Sequence, residues 1–366
     1  PNLFLYGIDR NIWEEIKNNP LKPLINKTIS GLYSPGSTIK PLVALSALEN
    51  DVIKPNMKVK CEGKIEMYGQ TYHCWREKGH GYMSLKNAIK QSCDIYFYEV
   101  ARLLGVDKLN LTAEKFGLGK KVLGEYFPNE KQGIFPSTKW KKKAIGQNWY
   151  LGETFITGIG QGYIQTNPLQ LCLMTAQLAN GGYKIYPRIT LKKNQDTVEQ
   201  IKNKMQQMKK ISKEKDNSIL KATENFFGTK TKEYTPLYKN SENIKFVLDA
   251  MFKSTNELYG TSYKSRIEDP KYQFAGKTGT SQVKRITEAE RKLDLKIDQI
   301  PYKDRDHAWY IAFGPYRNPR YAVSVLVEHG GSGSKVAAPI AKKLFKLIID
   351  RHELREKITS KNKMNI

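Results

Sequence analysis

Three short polar motifs, far apart in the sequence, constrain the fold of this chain more than any other feature. In chain order they are Ser37-Thr38-Ile39-Lys40 (the first motif), Ser92-Cys93-Asp94 (the second motif) and Lys277-Thr278-Gly279-Thr280 (the third motif). The first motif follows a Pro-Gly turn and opens an apolar helix, the second breaks a helical stretch, and the third follows a short apolar strand. A site built from all three requires the helix, the turn and the strand to converge on one groove.

The first motif has the composition of an activated serine nucleophile. Ser37 would lie in the first helical turn, where free N–H groups and the helix dipole stabilise an oxyanion. Lys40 follows three residues later on the same helix face. A serine hydroxyl needs a base, and a lysine can supply one if burial and a second positive charge lower its pKa. Lys277 is the candidate for that charge, although Ser37 taken alone is more typical of a simple helix cap.

The second motif is predicted to be a turn that sends its first and third residues to one side and its middle residue to the other. Ser92 can then relay a proton between Lys40 and a leaving amine. Asp94 can hydrogen-bond a substrate amide.

The third motif is predicted to lie on a strand edge. Gly279 there permits the close approach of another backbone. The lysine and the hydroxyls of Thr278 and Thr280 can hold a substrate carboxylate, and the N–H of Thr280 with that of Ser37 can form an oxyanion hole. Taken alone, Lys277 would be an ordinary surface lysine.

In this order and context, the three motifs resemble those of penicillin-binding proteins. The resemblance is to class B members, and most closely to their penicillin-binding protein 2 branch, which serves rod-shape elongation; it extends from Pro1 to about Asp350. The further residues that carry it are Gly31-Leu32-Tyr33-Ser34-Pro35-Gly36, Pro41, Gly160-Gln161-Gly162, Pro168-Leu169-Gln170, Ala275-Gly276 and Glu328-His329-Gly330-Gly331.

The resemblance implies an α+β fold, with a five-stranded antiparallel sheet flanked by helices and a mainly helical subdomain. It implies a substrate, the D-Ala-D-Ala end of a peptidoglycan stem peptide, and acylation of the same serine by β-lactams. Many family members have Asn where this chain has Asp94, and the penicillin-binding protein 2 branch is similar to this chain in using Asp. The implied roles are Ser37 as nucleophile, Lys40 as base, Ser92 as proton relay, and Lys277, Thr278 and Thr280 as the carboxylate site.

The resemblance also predicts the setting of the domain. Residues 1–30 would be a remnant leading to an absent N-terminal pedestal and anchor, and residues 31–366 the transpeptidase domain. The domain would lie on the periplasmic side of the inner membrane, with a membrane glycosyltransferase and a periplasmic scaffold protein of the elongation complex as partners.

The net charge of the chain constrains its partners only weakly. The formal charge of +25, from 61 Lys plus Arg against 36 Asp plus Glu, favours either an anionic partner or simply solvated lysines. No nucleic-acid-binding motif accompanies it, so no nucleic-acid partner is expected. Residues 190–243 are rich in Lys, Asn, Gln and Glu, which predicts a surface insertion.

Cys61, Cys74, His80 and Cys93 form a possible zinc site, since three thiolates and an imidazole are a common tetrahedral set. Four protein ligands predict a structural metal, and Cys93 would tie it to the second motif. By resemblance, some penicillin-binding protein 2 members bind zinc at matching positions through Asp, Asp, His and Cys. A Cys61–Cys74 disulfide, an apolar role for Cys93, and His73 as a competing ligand remain alternatives.

Hydrophobic patterning predicts several elements. Helices are expected at residues 11–18, from residue 36 onward, at 84–104 with a break at 92–94, at 166–180 and at 336–354, and strands at 272–276, 308–314 and 321–328.

Two rival functions remain open. The first is a β-lactamase or β-lactam sensor on the same fold, although the chain has no recognisable deacylation Glu loop. A catalytically silent scaffold is the other rival, but a scaffold has no need of Ser37, Lys40 and Lys277. Rapid antibiotic turnover would identify the first, and failure to label with a penicillin the second.

Overall fold

The computed structural model describes residues 2–5, 7–124, 127–188, 235–284, 290, 293 and 295–364, and only the backbone of residues 2 and 356–364. Helices and strands are mixed along the chain, in agreement with the predicted α+β class. The α-helices are α1 (Arg10–Asn18), α2 (Lys27–Ser30), α3 (Lys40–Glu49), α4 (Leu85–Gln91), α5 (Asp94–Leu104), α6 (Val106–Lys115), α7 (Thr138–Ile145), α8 (Leu151–Gly158), α9 (Pro168–Ala179), α10 (Ser241–Asn256) and α11 (Ala338–Met364).

The strands form one larger sheet and two short hairpin-like pairs. In the larger sheet β5 (Ala275–Ser281), β6 (His307–Gly314) and β7 (Tyr321–Val327) are antiparallel in sequence order, so β5 is an edge strand. The small pairs join β1 (Lys58–Cys61) to β4 (Gly81–Ser84) and β2 (Lys64–Met67) to β3 (Gln70–His73).

The larger sheet is covered on both faces. Side chains alternate along β6 as a strand requires: Trp309 belongs to the core shared with α3, α9 and α10, whereas Tyr310 belongs to the core beneath α11. The rings of Phe274 and Phe345 stack with their centroids 5.0 Å apart, and this contact packs α11 against the second face of the sheet. The edge strand β5 is thereby held rigidly with its third motif beside the helical subdomain.

Helix α3 is the centre of the helical subdomain. All ten of its residues are buried, as expected for a helix that is apolar on nearly every side. It packs against α5, α6 and α10. Its N-terminus, which carries the first motif, is therefore fixed relative to the sheet.

The second motif is a sharp break between two helices. Ser92 has φ of 57° and ends α4, Cys93 is the N-cap of α5, and Asp94 is the first residue of α5. A non-glycine residue with positive φ is uncommon and often lies at a functional site. This confirms the predicted break at residues 92–94.

Three predictions need correction. Within the described residues the larger sheet has three strands rather than the five expected. The opening residues Asn2–Phe4 form a 3-10 turn and contribute no strand to this sheet. The predicted strand at 272–276 is displaced, because β5 contains the third motif instead of ending before it. Residues 235–243 do not behave as an insertion, since Leu237 N donates to Gly182 O at 2.8 Å and Lys239 Nζ to Glu49 O at 3.1 Å.

The rest of the predicted insertion, residues 190–234, lies outside the described residues. The predicted helices at 11–18 and 166–180 and the strands at 308–314 and 321–328 are confirmed to within three residues at each end. Among the described residues, no helix combines the length and the apolar character that crossing a bilayer requires.

Candidate active site

Ser37 lies in a 3-10 turn, Gly36–Ile39, that leads directly into α3. The turn is pressed against β5 with main chain on both sides: a Cβ at Gly36, whose φ is +54°, would lie 2.3 Å from Thr280 O, and one at Gly160 would lie 2.0 Å from Gly36 O. Glycine is required where backbones approach this closely. Ser37 itself is half-buried.

Lys40 is fully buried one helical turn beyond Ser37. Its Nζ donates to Asp94 Oδ1 at 2.7 Å, to Ser92 O at 3.0 Å and to Ser92 Oγ at 3.3 Å. All three protons of the ammonium group thus have acceptors in the second motif.

Lys277 reaches the same serine from the opposite side. It is fully buried, and its Nζ donates to Ser92 Oγ at 2.8 Å and to Thr278 O at 2.9 Å. Burial, followed by the positive charge of Lys40, holds the pKa of Lys277 well below its ordinary value. The structure therefore brings the three motifs together around the Ser92 hydroxyl.

Asp94 points inward. Its Oδ2 accepts from the backbone N–H of Trp75 at 2.9 Å while Oδ1 accepts from Lys40. Burial raises the pKa of Asp94, although Lys40 opposes this effect. Both oxygens are thus occupied by the protein, which differs from the predicted contact of Asp94 with a substrate amide.

The third motif is arranged for contact on its cleft side. Gly279 is required here, since a Cβ would lie 2.7 Å from Thr38 Cγ2 and 2.9 Å from Pro35 O. Thr280 is exposed, and the side chain of Gln161 donates to its carbonyl oxygen at 3.0 Å. Thr278 is 8% exposed, and its hydroxyl contacts that of Thr261 at 2.8 Å.

The four candidate metal ligands also meet. Sγ of Cys61, Cys74 and Cys93 and a ring nitrogen of His80 all lie within 4.8 Å of one another. His80 Nδ1 is 3.5 Å from Sγ of both Cys61 and Cys74. The three thiols are free and buried, so the alternative disulfide between Cys61 and Cys74 is absent, and it is His80, not His73, that joins the cluster.

The cluster adjoins the second motif directly. Sγ of Cys74 accepts from the backbone N–H of Asp94 at 3.4 Å, and Cys93 turns away from the catalytic side as predicted. Hydrogen bonds, chiefly with Cys93, lower the pKa of Cys74 and Cys61, while the same hydrogen bonds raise the pKa of Cys93. Cys61 and Cys74 therefore favour the thiolate, the form that binds metal, whereas Cys93 favours the protonated thiol.

Two contributors were not predicted from sequence. The indole N–H of Trp75, a residue 59% exposed, donates to Gln91 O at 3.1 Å and to Ser92 O at 3.0 Å. Thr261 meets the third motif from a loop after α10. Neither residue belongs to a motif, although the position of Trp75 next to Cys74 was a usable signal.

Residues 9–346 match the family described as the penicillin binding protein transpeptidase domain. Peptidoglycan D,D-transpeptidase MrdA of Salmonella typhimurium is 32% identical over 352 residues, which are 96% of this chain and 52% of that protein. MrdA of Escherichia coli K12 is 32% identical over 338 residues, 92% of this chain and 48% of that protein. The chain spans about half the length of the curated relatives it matches.

Solved structures give the same result. PBP2 of Pseudomonas aeruginosa, in complex with WCK 5153, superposes with a TM-score of 0.74 at 35% identity, over 95% of this chain and 68% of that one. PBP2 of Helicobacter pylori, in complex with MreC, has a TM-score of 0.74 at 30% identity, over 94% of this chain and 56% of that one.

Proposed function

The chain belongs to the family of penicillin-binding protein transpeptidase domains, and on this basis we propose that it is a serine D,D-transpeptidase. It cross-links peptidoglycan stem peptides during cell elongation and is acylated by β-lactams. The observation that carries the proposal is the Ser92 hydroxyl, held between the Nζ atoms of Lys40 at 3.3 Å and Lys277 at 2.8 Å.

In the first half-reaction, Ser37 Oγ attacks the penultimate carbonyl of a D-Ala-D-Ala terminus and gives its proton to Lys40. Ser92 takes this proton from Lys40 and passes it to the departing amine, so D-Ala leaves and an ester to Ser37 remains. An amine of a neighbouring stem then attacks the ester, and its proton passes to the Ser37 oxygen, which forms the cross-link and regenerates the serine. The N–H groups of Ser37 and Thr280 stabilise the oxyanion in both steps.

Burial raises the pKa of the Asp94 carboxyl beside Lys40, although Lys40 opposes this effect. Burial also lowers the pKa of Lys277, which holds Ser92 from the other side.

Intact mass after incubation with a penicillin tests the proposal. The wild type should gain the mass of one penicillin and keep it, and Ser37→Ala should gain none. Ser30→Ala is the control, because the hydroxyl of Ser30 donates to Asn129 O outside the cleft, and this variant should behave as wild type. Rapid release of hydrolysed penicillin would favour the β-lactamase or sensor function. Absence of any adduct on the wild type would favour a silent scaffold.

We also propose that Cys61, Cys74, His80 and Cys93 hold a structural zinc ion. The donor set fits the metal, because three buried thiols and one imidazole nitrogen lie within 4.8 Å of one another, and hydrogen bonds lower the pKa of Cys61 and Cys74. A bound ion would supply positive charge that holds the three sulfurs together and, through Cys93, fixes the turn of the second motif.

Elemental analysis of the purified protein tests the metal proposal. We expect about one zinc per chain, released by chelators with a fall in melting temperature. Cys93→Ser should lose the metal, whereas Cys172→Ser, a substitution outside the cluster, should retain it. Folded, unchelated protein without stoichiometric metal would defeat the proposal.

The cellular setting is part of the same proposal. Cross-linking of stem peptides places the domain on the periplasmic side of the inner membrane, on an N-terminal anchor and pedestal. A periplasmic scaffold protein and a membrane glycosyltransferase of the elongation complex are the proposed partners; PBP2 of Helicobacter pylori forms a complex with MreC. Co-purification of the natural full-length protein with its elongation machinery is the test.

A further inference from the structure

The main chain of Thr280 faces the turn that carries Ser37. A Cβ at Gly36 would lie 2.3 Å from Thr280 O and 3.2 Å from Thr280 N. In an antiparallel strand the N–H and C=O of one residue point to the same side, and successive residues alternate between the two sides. Both groups of Thr280 therefore point away from β6 and toward the turn. This edge of β5 offers the turn one donor and one acceptor.

The outward carbonyls of β5 are engaged by side-chain donors. Lys277 Nζ donates to Thr278 O at 2.9 Å, and Gln161 Nε2 donates to Thr280 O at 3.0 Å. Residues 278 and 280 are two apart, so their carbonyls point to the same side of the strand. Lys277 belongs to the third motif, whereas Gln161 comes from the segment after α8. Gln161 therefore completes an arrangement that the third motif only half supplies.

Gln161 belongs to the same segment that supports Ser37. Gly36 N donates to Gly160 O at 2.8 Å, and Gln161 N donates to Ile156 O at 3.0 Å. A Cβ at Gly160 would lie 2.0 Å from Gly36 O, so this oxygen faces residue 160. The C=O and N–H of a trans peptide point in opposite directions, and the N–H of Ser37 therefore points away from residue 160. Residues 160 and 161 thus support both sides of the proposed oxyanion hole.

The charge of the Thr280 carbonyl oxygen explains what Gln161 can do. This oxygen lies on the same edge as the N–H of Thr280, and its partial negative charge repels an oxyanion bound there. A donor that holds the oxygen reduces this repulsion and fixes the direction of the main chain. Donors that are oriented before the reaction stabilise a developing oxyanion most strongly, because no reorganisation is needed when the charge appears. Gln161 therefore acts on the transition state through Thr280.

We propose that Gln161 is a positioning residue that holds the main chain of Thr280 as a donor of the oxyanion hole. The inference rests on the proposed function, since it concerns the oxyanion formed in acyl transfer. It adds a side chain outside the three motifs to the machinery of that step. The role requires a loss that is larger for the tetrahedral state than for the intact ligand.

The test compares tetrahedral and intact ligands. Gln161→Leu removes the donor and keeps a side chain of moderate size. Its rate constant of acylation by benzylpenicillin should fall roughly threefold to tenfold, the scale of one hydrogen bond. Its affinity for phenylacetamidomethyl boronic acid, which forms a tetrahedral adduct with a serine, should fall by the same factor. Equilibrium binding of benzylpenicillin in a Ser37→Ala background should stay within about twofold.

Gln161→Glu separates an electrostatic role from one of shape. Glutamate has nearly the shape of glutamine, but its carboxylate repels both the carbonyl oxygen of Thr280 and the oxyanion. Acylation of this variant should therefore be slower than that of Gln161→Leu, roughly tenfold to a hundredfold below wild type. If Gln161 only filled space, the order would be reversed and Gln161→Leu would react more slowly.

Asn110→Leu is the matched control. The Asn110 side chain is also half-buried and also donates to a main-chain oxygen, that of Phe135 at 2.8 Å, but it lies on α6. Its rate constants, normalised to the fraction of protein that penicillin labels, should equal those of the wild type. Equal losses in Asn110→Leu and Gln161→Leu would reflect general destabilisation and overturn the inference.

The wild type separates this inference from the proposed function. A wild type that forms neither a penicillin adduct nor a boronate adduct overturns the proposed function, and the role of Gln161 with it. If the wild type is acylated but Gln161→Leu reacts at the wild-type rate, or Gln161→Glu reacts faster than Gln161→Leu, the role of Gln161 alone is overturned.

Discussion

Fully buried lysines occur in two regions of the molecule with opposite surroundings. Between α7 and α8, Lys141 donates to Glu153 Oε1 at 2.5 Å. Its Nζ lies 4.5 Å from the ring centre of Tyr150 and about 6 Å from those of Trp149 and Tyr163. A carboxylate and three aromatic rings thus surround the Nζ of this lysine.

Among the described residues, Lys40 and Lys277 share one carboxylate in the cleft, that of Asp94. The Nζ of Lys277 donates to a hydroxyl and a carbonyl, and burial together with the nearby charge of Lys40 lowers its pKa well below the ordinary value. Burial is common to the two regions, and the number of carboxylates per lysine distinguishes them. We expect a shared carboxylate to favour acid–base chemistry, at a cost in stability that a one-to-one ion pair avoids.

The largest expected effect comes from exchanging each lysine for methionine. Lys277→Met should slow penicillin acylation by roughly 10²–10⁴-fold, the range of acid–base catalysis, with the melting temperature unchanged or raised because a desolvated amine is removed. Lys141→Met should do the reverse: near-normal acylation and a melting temperature lower by several degrees, since Glu153 loses its partner.

Stopped-flow kinetics of acylation and thermal unfolding of both variants measure this contrast. If Lys141→Met abolished acylation while Lys277→Met mainly destabilised the protein, the distinction between the two regions would be wrong.

The second expected effect is on the pH profile. The negative charge of Asp94 raises the pKa of Lys277, against burial and Lys40, which lower it. Asp94→Asn removes that charge while retaining an acceptor for the N–H of Trp75. The neutral form of Lys277 then persists to lower pH. The acidic limb of the pH profile of acylation should therefore move down by about one pH unit.

Rates of acylation between pH 5 and 9 check the shift, with Glu153→Gln beside Lys141 as the matched removal of a carboxylate. That control should leave the limb in place. Movement of the limb to higher pH in Asp94→Asn would contradict the electrostatic account.

The smallest expected effect concerns indole N–H groups. Trp75→Phe removes the bond to Ser92 O, an oxygen that also accepts from Lys40, and should slow acylation roughly threefold to tenfold. Trp149→Phe removes a comparable bond, from Nε1 to Thr154 Oγ1 at 2.7 Å, beside Lys141. Acylation should be unaffected by it, and equal losses in the two variants would show that the effect is not specific to the cleft.

The convergence of Lys40 and Lys277 on Ser92 was predictable from sequence because short local motifs carry all three residues. The spacing of Ser37 and Lys40 follows from one helical turn, and the break at Ser92 separates two apolar helical patterns. The cysteine cluster was also predictable, because three thiols and an imidazole are a common ligand set that can be recognised from residue type alone.

The supporting residues were not predictable in this way. Thr261 reaches Thr278 only because α10 packs against β5, and Lys141 meets Glu153 only because α7 and α8 fold together. The bounds of β5 were wrong for a similar reason. Its glycines have low strand propensity, and the contacts of Gly276 and Gly279 with neighbouring segments override it.

The glycines beneath the nucleophile have a consequence for how such a protein can change under selection by antibiotics. The turn before Ser37 is stacked between β5 and residue 160 with main chain against main chain, so no rotamer can absorb an added methyl group. We expect variants that escape antibiotics to leave the glycines of this turn unchanged. They should instead accumulate at exposed side chains such as Trp75, which contacts the second motif, because a substitution there can weaken recognition without moving the backbone around Ser37.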